Sequence, residues 1–316
     1  MASPRCLIVD PMHESIFPMM KEIGWEIDYR PDITREEIKR VHIGFDGIIV
    51  RSKTNIDAEL LGDFPTIQLV GRAGAGLDNL DLDYLSAKGI QVLHASEGNR
   101  DAVGEYTIGA LLSLMRNLPR GDREVRSMKW DREGNRGEEL MGKTVTIIGY
   151  GNMGRAFAQR LSGFGCNVYA YDKYKTDYSD EYVKAISFEN LFDNTDILSL
   201  HIPLTSETRG MVEENYLRRF RKSIILVNTA RGEIVSLSAL NASFNDGKVR
   251  GAVLDVLENE KLKTLSPEQL NAFNSLKERS NVIFTPHIAG WTFESHIKIN
   301  VALVSKIKAL NVASGH

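Results

Sequence analysis

One short stretch limits the fold of this chain more than any other. Lys143-Thr-Val-Thr-Ile-Ile148 runs into Gly149-Tyr-Gly151-Asn152-Met153-Gly154 and then into Arg155–Ser162. The first segment has the β-branched, apolar make-up of a buried strand, and the last has the pattern of a helix. A strand that turns through GxGxxG into a helix is the opening βα unit of a doubly wound parallel sheet. Gly149 permits the tight turn, Gly151 lets a ligand approach the backbone, and Gly154 lets helix and strand pack closely.

Amide donors at a helix N-terminus receive phosphate oxygens. Asp172 closes the next strand, Val168-Tyr-Ala-Tyr-Asp172. An acid there accepts hydrogen bonds from ribose hydroxyls and repels a 2′-phosphate, so the loop is expected to hold NAD rather than NADP. Lys173 follows directly and leaves some tolerance of NADP open.

The rest of the chain repeats the βα alternation. Strand candidates are Cys6–Val9, Glu26–Tyr29, Gly47–Val50 and Ile67–Val70, then Thr144–Ile148, Asn167–Tyr171, Asp196–Leu200, Ser223–Val227, Val249–Leu254 and Val282–Phe284. Such alternation means α/β architecture, with parallel sheets covered by helices on both faces. The glycine loop arrives late, so the residues before it are expected to form a smaller α/β domain of their own. An amphipathic helix over Asp101–Leu118 bridges into the dinucleotide domain. A second, over Thr292–Leu310, carries Ile297, Val301, Val304, Ile307 and Leu310 at helical spacing and is expected to return to the first domain. The expected division is residues 1–98 with 290–316, and residues 99–289, with a ligand cleft between.

Composition excludes several classes. The net charge is −3, and Lys and Arg are dispersed, so nothing points to nucleic acid. No apolar run approaches a membrane span, and Met1-Ala-Ser-Pro-Arg-Cys6 lacks an apolar signal core. Cys6 and Cys166 sit apart in apolar, strand-like surroundings, and read as reduced structural thiols of a cytosolic protein. The histidines (13, 42, 94, 201, 287, 296 and 316) show no metal-ligand spacing, so no metal is expected.

Oxidation of a secondary alcohol by NAD asks three things of a protein. A base takes the hydroxyl proton, a cation holds the neighbouring carboxylate or carbonyl, and a carboxylate orients the base. The C-terminal half offers one of each just past a strand, where open α/β sheets bind ligands. Arg231 follows Ile-Ile-Leu-Val-Asn-Thr-Ala, Glu260 follows Asp255-Val-Leu-Glu258-Asn, and His287 follows Val-Ile-Phe-Thr-Pro.

These segments together resemble a known family. Gly149–Gly154, His201-Ile-Pro203-Leu-Thr205, Asn228-Thr229-Ala230-Arg231-Gly, Gly251–Glu260 and Thr285-Pro-His287-Ile-Ala289-Gly290 are similar to the signatures of the D-2-hydroxyacid dehydrogenases. The resemblance covers essentially the whole chain. It implies a flavodoxin-like substrate domain built from both termini, an inserted Rossmann NAD domain and a homodimer. It assigns Arg231 to the substrate carboxylate and carbonyl, His287 to acid/base work, and Glu260 to its carboxylate partner. The family's acid falls five residues after the Asp, which selects Glu260 over Glu258. It places cofactor contacts at Gly149, Gly151, Asn152, Met153, Gly154, Asp172, His201, Pro203, Thr229, Ala230, Arg231, Asp255, His287, Ala289 and Gly290. Two departures stand out. Trp291 occupies a position where the family usually has a small residue; it is expected to pack under the last helix, with filling part of the pocket as the alternative. Segment 261–279 is polar and reads as a surface excursion.

Val70-Gly-Arg72-Ala-Gly-Ala75-Gly76 matches the family's substrate loop, whose glycines would present N–H groups to a carboxylate. Its wording is most similar to the phosphoglycerate dehydrogenases within the family. Arg51 and Lys53, two apart after a strand, would share a face on an extended chain. With Arg72 they offer the local cations that a phosphate monoester needs. Asn99 resembles a further substrate contact. The expected substrate is therefore a small 2-hydroxy acid, phosphorylated, with 3-phosphoglycerate foremost. A glyoxylate or hydroxypyruvate reductase is the near alternative, and an NAD-sensing corepressor of the same fold the distant one. Because it stops shortly after the returning helix, the chain is expected to lack an appended serine-sensing domain.

Overall fold

The computed structural model describes residues 3–313. It forms two compact units, Met1–Arg100 with Trp291–His316, and Asp101–Gly290.

The first unit runs β1 (Arg5–Ile8), α1 (Ile16–Glu22), β2 (Glu26–Tyr29), α2 (Arg35–Val41), β3 (Gly47–Val50), α3 (Ala58–Leu61), β4 (Leu69–Arg72), α4 (Leu82–Ala87) and β5 (Gln91–His94). Its sheet is parallel with strand order β2-β1-β3-β4-β5. That is the flavodoxin-like order, whose switch point lies between β1 and β3. Ile48 and Val50 enter one apolar layer, while Cys6, Ile8 and Ile49 enter the other. The alternation follows from the two-residue period of a strand. Helix α2 starts at a full capping box, in which the Thr34 hydroxyl accepts from the Glu37 amide and the Glu37 carboxylate accepts from the Thr34 amide.

Helix α5 (Ser96–Met115) carries the chain into the second unit. The expected single helix to Leu118 instead stops at Met115. Asn117 adopts a left-handed φ of 54° and α6 (Leu118–Arg126) starts afresh, with Pro119 in its first turn. Asn tolerates that conformation, and proline suits only a first turn. There follow β6 (Thr144–Ile148), α7 (Asn152–Leu161), β7 (Asn167–Tyr171), β8 (Lys184–Ala185), α8 (Leu191–Asn194), β9 (Ile197–Leu200), α9 (Glu214–Arg218), β10 (Ile224–Asn228), α10 (Leu237–Asn245), β11 (Val249–Leu254), α11 (Pro267–Lys277) and β12 (Val282–Phe284). The sheet is parallel throughout, ordered β12-β11-β10-β9-β6-β7-β8. The chain reverses its direction of travel at β6, so the crevice between the ends of β6 and β9 is the switch point where such sheets bind ligands. Both faces of the sheet are covered, one around Leu198, Leu226 and Phe220, the other around Ile147, Val227 and Phe157.

Helix α12 (Phe293–Ala313) belongs to the first unit and packs Ile299, Leu303 and Ile307 onto the β1/β3 layer. A Cβ on Gly98 would lie 2.5 Å from the Ile299 backbone, so only glycine lets the two segments meet.

The segment 261–279 is not an excursion. Ser266 and Gln269 form a capping box, Pro267 opens α11, and Ala272 and Leu276 are buried. Its amphipathic face is short, which hid it among polar residues. Strands β5 and β8 also escaped the sequence reading. Each is an edge strand of four residues or fewer with little buried surface, so neither carries a strong alternation.

Candidate active site

Three adjacent strands deliver the proposed chemistry. Strands β10, β11 and β12 lie side by side, and Arg231, Glu260 and His287 each follow the C-terminal end of one of them. After β10, buried Asn228 folds the turn by donating Nδ2 to the Arg231 carbonyl at 2.9 Å and accepting from the Ala230 amide at 3.1 Å. Thr229 places its hydroxyl 3.4 Å from that of Thr107 on α5. Gly232 presses this turn onto the next loop, where a Cβ would fall 1.8 Å from the Leu257 carbonyl oxygen.

The β12 turn is held from β11. Asp255 is buried, and its Oδ1 accepts from the Thr285 hydroxyl at 2.7 Å and from the Ile288 amide at 2.9 Å. Its Oδ2 accepts from the Ala289 amide at 2.8 Å, and its backbone carbonyl from the His287 amide, also at 2.8 Å. Tyr106 bonds the Thr285 hydroxyl from α5. Desolvation pushes that phenol up to about 12, so it stays a neutral donor. This clamp keeps His287 at φ +55°, a left-handed conformation a histidine rarely takes. The imidazole leaves the turn half-exposed, and its Nδ1 meets Glu260 Oε1 at 2.9 Å. Nε2 then has no partner among the described residues. The competing acid, Glu258, is spent on structure: it accepts the Leu237 amide at the start of α10 at 3.0 Å.

The glycine loop fits a dinucleotide. Gly149 has φ +90°, and a Cβ there would meet the His201 carbonyl at 2.5 Å, which ties the loop to the end of β9 at the switch point. A Cβ on Gly154 would lie 2.1 Å from the Gly149 carbonyl. At Gly151 a Cβ would meet nothing within 4 Å. Two glycines thus serve internal packing, and the middle one opens space over the first turn of α7, where Asn152 and Met153 stand. Asp172 does more than the sequence indicated. Its Oδ2 accepts the Tyr150 amide at 2.8 Å, and its Oδ1 the Tyr174 amide at 3.0 Å, so it also shapes the loop. The sequence reading missed Tyr150 and Asp180: the buried phenol donates to that carboxylate at 2.9 Å and anchors the loop from below. The x of a GxGxxG gives no signal of such a role. Pro203 lends its carbonyl to the Thr208 hydroxyl at 2.7 Å, closing the turn after β9.

His201, an expected cofactor contact, has its side chain turned to packing. Nε2 lies 2.8 Å from the Ser199 hydroxyl, and the ring lies 5.5 Å from that of Phe157. Burial holds its pKa down at about 3, against an ordinary 6.5. The folded state therefore keeps this ring neutral, while the unfolded chain takes up a proton below 6.5. Stability from this group should be lost as pH falls from about 6.5 toward about 3, by about 1.4 kcal/mol per pH unit. Urea unfolding of the parent and a His201→Gln variant across that window checks this. The variant should lose that part of the slope; identical slopes would refute it.

In the first unit, the residues expected to meet substrate separate into two groups. Arg51 follows β3 at the β1/β3 switch point, and its amide donates to Asp10 at the end of β1. Its guanidinium lies over the Trp291 ring, 4.6 Å from the centroid, and one nitrogen donates to the Pro11 carbonyl at 3.3 Å. Lys53 turns elsewhere: its ammonium donates to the Pro31 and Ile33 carbonyls at 3.0 and 3.2 Å. The pair therefore does not share a face, because the chain leaves the extended strand conformation after Val50. Arg72 curls over Gly74 and donates to the Ala73 carbonyl at 3.2 Å. The amides of Ala75 and Gly76 have no acceptor among the described residues, and Asn99 Oδ1 is buried without a donor. Trp291 does not pack under α12. It is 60% exposed and stands between Arg51 and His296, whose ring it meets edge-on at 4.7 Å.

Among the described residues no three His, Cys, Asp or Glu side chains could hold a metal ion, and no helix is long and apolar enough to cross a membrane. His316 lies outside the described residues.

Comparison with known proteins places the chain in a family. Residues 108–289 match the family model of the D-isomer specific 2-hydroxyacid dehydrogenase, NAD binding domain. A D-3-phosphoglycerate dehydrogenase of Archaeoglobus fulgidus is 34% identical over 313 residues, covering 98% of this chain and 58% of the relative. The chain thus spans a little over half the length of that relative. A hydroxypyruvate reductase of Thermotoga maritima is 34% identical over 97% of this chain and 98% of its own length. A D-lactate dehydrogenase of Aquifex aeolicus, solved in complex with NAD and lactic acid, is 28% identical with a TM-score of 0.81 over 98% of this chain and 96% of that one. The chain belongs to the D-isomer specific 2-hydroxyacid dehydrogenase family, and residues 108–289 are its NAD-binding domain.

Proposed function

We propose that the protein is an NAD-dependent oxidoreductase acting on the CH–OH group of a D-2-hydroxy acid. The single observation that carries this reading is the Glu260–His287 contact of 2.9 Å, on a turn clamped by Asp255. NAD, held by the Gly149–Gly154 loop and Asp172, supplies the hydride acceptor when bound. The chain's own part concerns protons and charge. His287 Nε2 takes the hydroxyl proton as the carbonyl forms, and Glu260 on Nδ1 fixes the ring's tautomer and stabilises the resulting imidazolium. Arg231 holds the substrate carboxylate and the oxygen that becomes the carbonyl. An NAD-sensing corepressor of this fold can retain the same trio, and steady turnover of any 2-hydroxy acid would set that reading aside.

For the substrate, we propose 3-phospho-D-glycerate, oxidised to 3-phosphooxypyruvate. Arg51 at the β1/β3 switch point supports a phosphate reading, as do relatives named for that activity. A hydroxypyruvate reductase is the second reading. It is favoured by Lys53, whose ammonium is already satisfied by two carbonyls and adds less to a phosphate site than its charge suggests. Arg51→Gln separates the two. Under the first reading it should raise the KM for phosphorylated substrate by about 10–10² and barely move that for hydroxypyruvate, the loss of one charge-assisted contact. Equal effects on both substrates would favour the reductase.

We also propose a homodimer formed through the NAD-binding domain. Leu118, Val125, Met128 and Trp130, all exposed along α6 and the loop after it, support this. A cytosolic location fits the two free thiols.

A further inference from the structure

Asp172 is followed by Lys173, and the two residues pull cofactor choice in opposite directions. A carboxylate repels a 2′-phosphate, whereas an ammonium one residue away attracts it. The side chain of Lys173 resolves the conflict by facing Glu207. Its Nζ lies 2.5 Å from Glu207 Oε2, and the Tyr174 hydroxyl donates to the same oxygen at 3.2 Å. The pairing raises the lysine pKa and lowers that of the glutamate, so both remain charged. The next cation, Lys175, is also engaged, donating to the Tyr150 carbonyl at 2.6 Å.

Glu207 is presented by a fixed turn. The Thr205 amide donates to the Thr208 hydroxyl at 2.8 Å, that hydroxyl donates to the Pro203 carbonyl, and the Arg209 amide closes onto the Thr205 carbonyl at 3.0 Å. Three consecutive residues beside the ribose acid are thereby held, and one carboxylate from the β9 turn holds two of them. An exposed ion pair adds little to stability. Its orienting effect on a flexible lysine is a separate matter, because an ammonium on a four-carbon stem goes where its counter-charge is.

We propose that Glu207 is a selectivity residue for NAD over NADP. It tethers Lys173 and so keeps that ammonium from offsetting the rejection of a 2′-phosphate by Asp172. Glu207 acts through the lysine, as a positioning residue. The inference rests on the reading of Asp172 as the ribose acid.

Calorimetric titration with NADH and NADPH tests it on the purified protein, with 5′-AMP and 2′,5′-ADP as smaller probes. Glu207→Gln should lower the NADPH-to-NADH ratio of dissociation constants by about tenfold, the effect of one cation released beside a phosphate dianion. Adding Lys173→Met to that variant should return the ratio to the parent value. The gain should also shrink at high salt, as an exposed charge contact must. An unmoved ratio in Glu207→Gln overturns the proposal, as does a gain that survives loss of Lys173. Asp172→Ser is the control for the underlying reading. If it leaves both dissociation constants unchanged, the assignment of Asp172 fails. If it shifts them while Glu207→Gln does not, only the role of Glu207 fails.

Discussion

Replacing His287 with Gln is expected to lower kcat for any substrate of this protein by about 10²–10⁴, the range lost with a positioned general base. Gln keeps a polar side chain near Glu260 but cannot take a proton at the Nε2 position. The environment explains why no neighbour should substitute. Glu258 is bonded to the Leu237 amide, Asp255 is buried and accepts from three donors, and Tyr106 is held as a neutral phenol. KM should change far less than kcat, because the lost interaction belongs to the chemical step. Steady-state rates of NADH formation measure both. A variant within a few-fold of the parent would remove His287 from the acid/base role.

The second large effect is expected at Arg231. Changing it to Gln should lower kcat/KM by about 10²–10³, since each charge-assisted hydrogen bond to a carboxylate contributes roughly 1.5–3 kcal/mol. Arg231→Lys should recover only part of this, because a point charge cannot reproduce a planar, bidentate fork. The turn itself should survive both changes, since Asn228 folds it through backbone atoms and Gly232 seats it against Leu257. A Lys variant with full activity would mean that Arg231 supplies charge alone; a Gln variant with full activity would mean that it does not meet substrate.

How legible was this in the sequence? The parallel sheets, the late glycine loop and the acid at Asp172 followed from pattern and spacing, because buried parallel strands and a phosphate turn impose strict residue choices. The proposed trio was picked out because each member follows a strand end, and the family resemblance chose Glu260 over Glu258. What the sequence hid is mostly where a side chain turns. Arg51 and Lys53 looked like one patch until the chain left the strand and sent them to different partners. Trp291 was expected under the last helix and is instead an exposed platform for Arg51. Asp255 and Tyr150 hold turns through contacts made across the fold, which no local spacing encodes. Helix α11 was obscured by its polar surface, although its capping box was written in Ser266 and Gln269.

The most direct test of the whole account is the initial rate of NAD reduction with a panel of D- and L-2-hydroxy acids that includes 3-phospho-D-glycerate. The account predicts NADH formation with at least one D acid, none with its L enantiomer, and loss of that rate in His287→Gln. No turnover of any member of the panel, in either direction, or a rate indifferent to His287, would contradict it.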